Sequence, residues 1–117
     1  MKQAATGILR TSMELGGNAP FVVFEDADLD KAVDGAMLAK FRNIGQACTA
    51  ANRFIVHEKV AAEFSKRVAE RVASFKVGRG TADDVNIGPL IDAKAVASTD
   101  ELVQDAVSKG AKVLTGG

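Results

Sequence analysis

The sequence F-R-N-I-G-Q-A-C-T-A-A-N-R, residues 41–53, joins a helical pattern to a strand pattern and is polar and glycine-containing. It holds Cys48, the single cysteine of the 117-residue chain. A lone cysteine is usually a small core residue, but a polar turn is better suited to exposing a thiol. Glu14 lies 34 positions earlier, beside Gly16 and Gly17. A thiol and a carboxylate that both lie beside glycines are candidates for a nucleophile and a base.

The patterns around this stretch predict alternating strands and helices. Residues 21–24, F-V-V-F, form an apolar run that is typical of a strand buried on both faces. Asp28 is placed to cap a helix over residues 29–42, whose apolar positions recur every four residues. A second strand is expected at residues 53–57, and an amphipathic helix at residues 59–75.

The two ends of the chain are more weakly patterned. Residues 1–9 indicate a weak helix, and residues 13–15 indicate a short strand. A last helix is expected at residues 93–109, with Gly110 as its stop, and a last strand at residues 112–115. Helical connections favour parallel strands, so we expect an α/β fold with an open, mainly parallel sheet and helices on both faces.

Composition narrows the class of partner and the compartment. Fifteen basic and fifteen acidic side chains cancel, which favours neither nucleic acid nor an anionic membrane surface. No apolar run approaches the roughly 18 residues of a membrane helix. One cysteine cannot form an internal disulfide, and the N-terminus lacks an apolar signal core, so we expect a cytoplasmic protein. No cluster of His, Cys and Asp has metal-ligand spacing, and no G-x-G-x-x-G dinucleotide fingerprint follows a strand.

Two motifs resemble those of the NAD(P)-dependent aldehyde dehydrogenases: E-L-G-G-N-A-P at residues 14–20 and G-Q-A-C at residues 45–48. The variant K-F-R-N-I-G-Q-A-C-T-A-A-N-R is most similar to the succinate-semialdehyde dehydrogenase branch of that family. The resemblance covers essentially the whole chain, and enzymes of this type are several times longer. It implies that residues 1–15 are a remnant of the end of a cofactor-binding domain and that residues 16–117 are a partial catalytic domain.

The resemblance implies a role for five residues. Cys48 would be the nucleophile that attacks the aldehyde carbonyl, and Glu14 would be the base that activates water to release the acid. Arg42 would bind the carboxylate of a semialdehyde; its alternative role is a cation that complements the dipole at the end of its helix. The backbone at Leu15 and Gly16 would lie against the nicotinamide of NADP or NAD.

Several alternatives stay open at this point. The small-molecule substrate is succinate semialdehyde or a similar carboxylated aldehyde such as glutarate semialdehyde, and the full-length enzyme is expected to be a homo-oligomer. Alternatively, these residues alone are inactive and form a folding or assembly module. Ala50 replaces a second cysteine that some relatives carry, so no disulfide switch is expected. His57 has no assigned role, and Asn43 and Asn52 are expected to hold the loop by side-chain-to-backbone hydrogen bonds.

Overall fold

The structure is a computed structural model that describes residues 2–116. Its elements in chain order are α1 (Lys2–Ala5), β1 (Ala19–Val23), α2 (Leu29–Phe41), a 3₁₀ turn (Arg42–Gly45), β2 (Ala51–Val56), α3 (Glu58–Ala73) and α4 (Ala93–Ser108). Strands β1 and β2 pair in parallel as a two-stranded sheet, and α2 connects them. The expected α/β fold with parallel strands is confirmed.

The first long helix, α2, begins where the sequence predicts. The carboxylate of Asp28 accepts hydrogen bonds from the backbone N–H groups of Asp30 and Lys31. These bonds satisfy two of the amides that have no partner inside the helix. The helix ends at Phe41, one residue before the predicted end.

Helices α3 and α4 also lie close to their predicted positions. The ring nitrogen Nδ1 of His57 accepts a hydrogen bond from the backbone N–H of Lys59, so His57 caps the start of α3. Asp92 caps α4 by accepting from the backbone N–H of Ala95 at 2.7 Å. Gly110 follows α4 with a φ of +96°, as expected for a glycine that ends a helix.

The core lies between one face of the sheet and helices α2 and α3. Its buried residues come from β1, α2 and α3: Val23, Val33, Ala36, Met37 and Phe64. Phe21 and Phe54 occupy facing register positions, with ring centroids 5.4 Å apart. Phe21 contacts α2 beside Gly35, and the ring of Phe54 lies 6.3 Å from that of Phe64 on α3. Both helices therefore cover the same face.

The opposite face of the sheet is uncovered by residues 2–116. Val22 and Ile55 are register partners on that face, and they are 50% and 55% exposed. Phe24, just after β1, is 66% exposed. The predictions that residues 21–24 are buried on both faces and that helices lie on both faces of the sheet are therefore wrong within residues 2–116, because α2 and α3 pack on the same face.

Two predicted strands are absent from the described residues. Residues 13–15 and 112–115 pair with no strand. A strand needs a hydrogen-bonded neighbour, and the sheet contains β1 and β2 alone, so both of its outer edges are open. The predicted helix over residues 1–9 is reduced to the single turn of α1, and Met1 lies outside the described part of the chain.

The fold exposes much more surface than a compact protein of this mass. The accessible surface is 9336 Å² for 12.2 kDa, where about 6,000 Å² is typical. The radius of gyration is 17.9 Å, where about 13 Å is typical of a compact domain of this length. No helix within residues 2–116 has the length and apolar character needed to cross a membrane.

Candidate active site

Cys48 lies on the loop between α2 and β2, and it is exposed. The loop begins with three successive residues in the left-handed region: Asn43, Ile44 and Gly45, with φ values of 52°, 54° and 80°. This conformation is costly for a β-branched residue such as Ile44, and it persists only where the surrounding structure holds it.

Local hydrogen bonds hold this strained turn. Nδ2 of Asn43 donates to the carbonyl oxygen of Gln46 at 2.8 Å, and the backbone N–H of Gln46 donates back to the carbonyl of Asn43 at 3.0 Å. The predicted side-chain-to-backbone role of Asn43 is therefore confirmed. The backbone N–H of Ala50 donates to the carbonyl of Ala47, which closes a second turn around Cys48.

The segment that carries Glu14 is exposed and lies outside any helix or strand. It nevertheless runs beside the cysteine loop, because a Cβ atom built on Gly17 would lie 3.7 Å from the carbonyl oxygen of Cys48. A Cβ atom on Gly16 would have no heavy atom within 4 Å, so open space adjoins that position. The structure thus brings together the two segments that carry the predicted nucleophile and base.

Three polar side chains join these segments to the end of α2. Nδ2 of Asn52 donates to Oδ1 of Asn18 at 2.9 Å, and Nζ of Lys40 donates to Oδ1 of Asn52 at 2.6 Å. The prediction that Asn52 bonds to backbone is wrong, because its partners are side chains. Sequence reasoning missed Lys40 and Asn18, since no local pattern marks a contact between residues so far apart in the chain.

Arg42 immediately follows α2 and is exposed. Its backbone N–H donates to the carbonyl of Leu38, which closes the helix. Within residues 2–116 its guanidinium makes neither a hydrogen bond nor an ion pair, so its donors remain accessible to a ligand. Leu15, next to Glu14 in the chain, is 73% exposed.

Shifted pKa values occur on α3. A hydrogen bond and the positive charge of Arg67 lower the pKa of Glu63 below its usual value. The same contact raises the pKa of Arg67, whose guanidinium also bonds Asp30 at 2.6 Å. The pair of Arg67 with Asp30 joins α3 to the start of α2, and the pair of Arg67 with Glu63 lies within α3, so both belong to the scaffold. No group of three or more potential metal ligands occurs within the described residues.

Comparison with known proteins decides the family. The sequence model that describes the aldehyde dehydrogenase family matches this chain over residues 1–117. The chain belongs to the aldehyde dehydrogenase family. The resemblance predicted from E-L-G-G-N-A-P and G-Q-A-C is thus confirmed, and so is membership of a family of NAD(P)-dependent enzymes.

Two curated aldehyde dehydrogenases show how far the likeness extends. The chain is 55% identical over 117 residues to glutarate-semialdehyde dehydrogenase of Pseudomonas putida, and 52% identical over 117 residues to succinate-semialdehyde dehydrogenase [NADP(+)] of Escherichia coli. All of this chain is aligned in both cases, with 24% of each relative. The chain therefore spans about a quarter of the length of these relatives.

A solved aldehyde dehydrogenase contains the same arrangement of elements. The crystal structure of the enzyme from Brucella melitensis biovar abortus 2308 superposes with a TM-score of 0.92 at 54% identity. The match covers 99% of this chain and 24% of that one. The described fold is thus a recognisable part of the aldehyde dehydrogenase structure. The roles of Cys48, Glu14 and Arg42 stay predictions.

Proposed function

We propose that this chain supplies the nucleophile and the base of an NAD(P)-dependent dehydrogenase that oxidises succinate semialdehyde, or a close analogue such as glutarate semialdehyde, to the acid. The observation that supports the proposal is the proximity of the Glu14 segment to the cysteine loop, where a Cβ atom built on Gly17 would lie 3.7 Å from the carbonyl oxygen of Cys48. The names of the two relatives favour a carboxylated aldehyde as the substrate.

In the first step the thiolate of Cys48 attacks the aldehyde carbon. A carbon–sulfur bond forms, and the carbonyl π electrons move onto oxygen, giving a thiohemiacetal. The backbone N–H of Cys48 donates to no backbone carbonyl within the described residues, so it is available to stabilise this oxygen. The exposure of the loop gives the aldehyde access to the sulfur.

The described residues fit one end of the cofactor. The open space at Gly16 leaves room for a flat ring against the backbone of Leu15 and Gly16. A nicotinamide held against the backbone of Leu15 and Gly16 would supply the hydride acceptor for the thiohemiacetal carbon. The part of this chain is to hold the oxidised carbon as a thioester on Cys48. The NADP(+) in the name of the Escherichia coli relative favours NADP over NAD.

In the last step Glu14 takes a proton from water as the water oxygen attacks the thioester carbonyl. The carbon–sulfur bond breaks, the acid leaves and the Cys48 thiolate is restored. Arg42 holds the far carboxylate of the substrate, because a guanidinium offers paired donors that match a carboxylate. The accessible guanidinium of Arg42, on the same loop as Cys48, supports this assignment.

The proposal also places the chain within a larger enzyme. Residues 1–15 would come from the end of a cofactor-binding domain and residues 16–117 from the catalytic domain of a homo-oligomer. A second candidate function is a folding or assembly module without turnover by these 117 residues alone. The accessible surface of 9336 Å² favours it for the isolated chain, because the fold leaves so much surface to be covered.

Formation of reduced cofactor from succinate semialdehyde and NADP⁺, followed by absorbance in the full-length protein, tests the proposal. Cys48→Ala is expected to lower turnover by at least about 10³-fold. Thr49→Ala, in the neighbouring exposed position, is the control and should change turnover little. Unchanged oxidation by Cys48→Ala would refute the proposed nucleophile. Appreciable turnover by the 117 residues alone would exclude the module without activity.

A further inference from the structure

Asn52 is the residue at which β2 departs from regular pairing with β1. Ala19 pairs with Ala51, but the next pair in the register is Pro20 with Arg53, so Asn52 has no partner on β1. Proline has no N–H to contribute to a ladder. An extra residue of this kind bends its strand and redirects a side chain, a feature over-represented beside active sites.

The side-chain amide of Asn52 makes hydrogen bonds through both its nitrogen and its oxygen. It donates to Oδ1 of Asn18, four positions after Glu14, at 2.9 Å. It accepts from Nζ of Lys40, two positions before Arg42, at 2.6 Å. One amide therefore links the segment of the proposed base, the helix end beside the proposed substrate clamp and the strand that follows Cys48.

A second bond fixes the same segment independently of the amide. Nε of Arg53 donates to the backbone carbonyl oxygen of Asn18 at 2.9 Å. Because this bond uses the backbone of Asn18, it survives any substitution of the Asn18 side chain. The side-chain bridge can thus be removed while the segment stays attached.

We propose that Asn52 is a positioning residue that sets the Glu14 segment relative to the Cys48 loop. The inference rests on the proposed function. Attack by sulfur needs the loop alone, whereas release of the acid also needs the carboxylate of Glu14 beside the thioester. Loss of the bridge therefore slows release of the acid more than formation of the thioester. A misplacement of about 1 Å is enough to cost on the order of 10²-fold in rate.

Rapid-mixing kinetics on the full-length enzyme separate the two steps. A burst of reduced cofactor reports thioester formation, and the steady-state rate that follows reports release of the acid. For Asn52→Ala we expect a retained burst and a steady-state rate that falls by about 10- to 100-fold. The matched control is Asn86→Ala, which removes an asparagine that accepts from the backbone N–H of Lys76 at 3.0 Å, in the loop after α3. It should leave both phases unchanged.

Variants of Asn18 decide the question even if Asn52→Ala folds poorly. Asn18→Asp keeps an acceptor for Nδ2 of Asn52 and should retain most of the steady-state rate. Asn18→Ala removes the acceptor and should behave like Asn52→Ala. Asn52→Ala already removes the bond to Asn18 as well as the bond from Lys40, so the double variant Asn18→Ala/Asn52→Ala should be no slower than Asn52→Ala.

The outcomes separate this inference from the function on which it rests. If burst and steady-state rate fall together, in proportion to the loss of folded protein, Asn52 is merely structural and the inference is wrong. Unchanged kinetics of Asn52→Ala in an enzyme that Cys48→Ala inactivates would overturn the inference and leave the function intact. Full activity of Cys48→Ala would instead overturn the function.

Discussion

Gly17 lies against the cysteine loop, with its Cβ position 3.7 Å from the carbonyl oxygen of Cys48. This is an ordinary van der Waals distance, so a methyl group fits there. On the same loop, a Cβ atom on Gly45 would lie 3.0 Å from the carbonyl oxygen of Lys40, and Gly45 has a φ of +80°. The two glycines therefore differ: a side chain is tolerated at Gly17, whereas Gly45 is required by a left-handed turn.

We expect Gly45→Ala to lower the free energy of unfolding by about 1–3 kcal/mol, because alanine resists the left-handed region and its methyl group crowds Lys40. Gly17→Ala is the matched control, and it should change the free energy of unfolding by less than about 0.5 kcal/mol. Urea denaturation of the two variants measures the difference. Equal losses at both positions would contradict the assigned geometry of the turn.

Local signals were enough to predict the elements from β1 to α3. Asp28 marks the start of α2 because its carboxylate caps the first turn, and that signal lies within three residues. The apolar stripe of α3 likewise reports the face that packs on the sheet. The pairing of E-L-G-G-N-A-P with G-Q-A-C indicated the family and therefore the candidate nucleophile and base.

Features that depend on distant residues could not be predicted. The hydrogen bonds of Asn52 to Asn18 and Lys40 depend on an irregularity in the register of β1 and β2 beside Pro20. The residue pattern of β2 does not predict this irregularity. The left-handed φ of Ile44 is set by the loop around it and runs against the preference of a β-branched side chain. The strand expected at residues 112–115 has apolar character, but a partner strand is needed for pairing.

Arg42→Met tests the carboxylate clamp. Loss of a charge-assisted hydrogen bond costs about 1.5–3 kcal/mol, so kcat/KM for succinate semialdehyde should fall by roughly 10- to 150-fold in the full-length enzyme. An uncharged aldehyde of similar length, butyraldehyde, should be oxidised as well as before. If Arg42 only complements the helix dipole, both aldehydes will lose equally. Arg79→Met, in an exposed loop after α3, is the control and should affect neither.

The ion pair of Glu63 with Arg67 predicts a pH-dependent stability. Because Arg67 lowers the pKa of Glu63 below 4.5, the pair stabilises the fold above that pH, and the contribution disappears as pH falls through the lowered pKa. Glu63→Gln should therefore lower the urea midpoint at pH 7 and leave it unchanged near pH 2. The control is Glu70→Gln on the same helix, since Glu70 has no ion pair within residues 2–116. If Glu63→Gln changes the urea midpoint equally at both pH values, the change does not come from the ion pair between Glu63 and Arg67.

The uncovered sheet face predicts self-association of the 117-residue chain. Val22 and Ile55 lie side by side there, each about half exposed, and both edges of the sheet are open. Exposed apolar surface and open edges favour pairing between copies, and a formal net charge of zero provides no long-range repulsion. Sedimentation velocity should show a mass that grows with concentration.

A charged side chain on the uncovered face of the sheet should weaken the self-association. Ile55→Lys places a cation where two copies would bury apolar surface, so the monomer should persist to higher concentration. Leu102→Lys introduces the same charge on α4, where Leu102 is 71% exposed, and serves as the control for a general effect of charge on solubility. If the chain without substitutions is a monodisperse monomer at high concentration, the prediction of self-association through the uncovered sheet face is wrong. Equal effects of the two substitutions would place the contact elsewhere than on the sheet, because only Ile55 lies beside Val22 in the register.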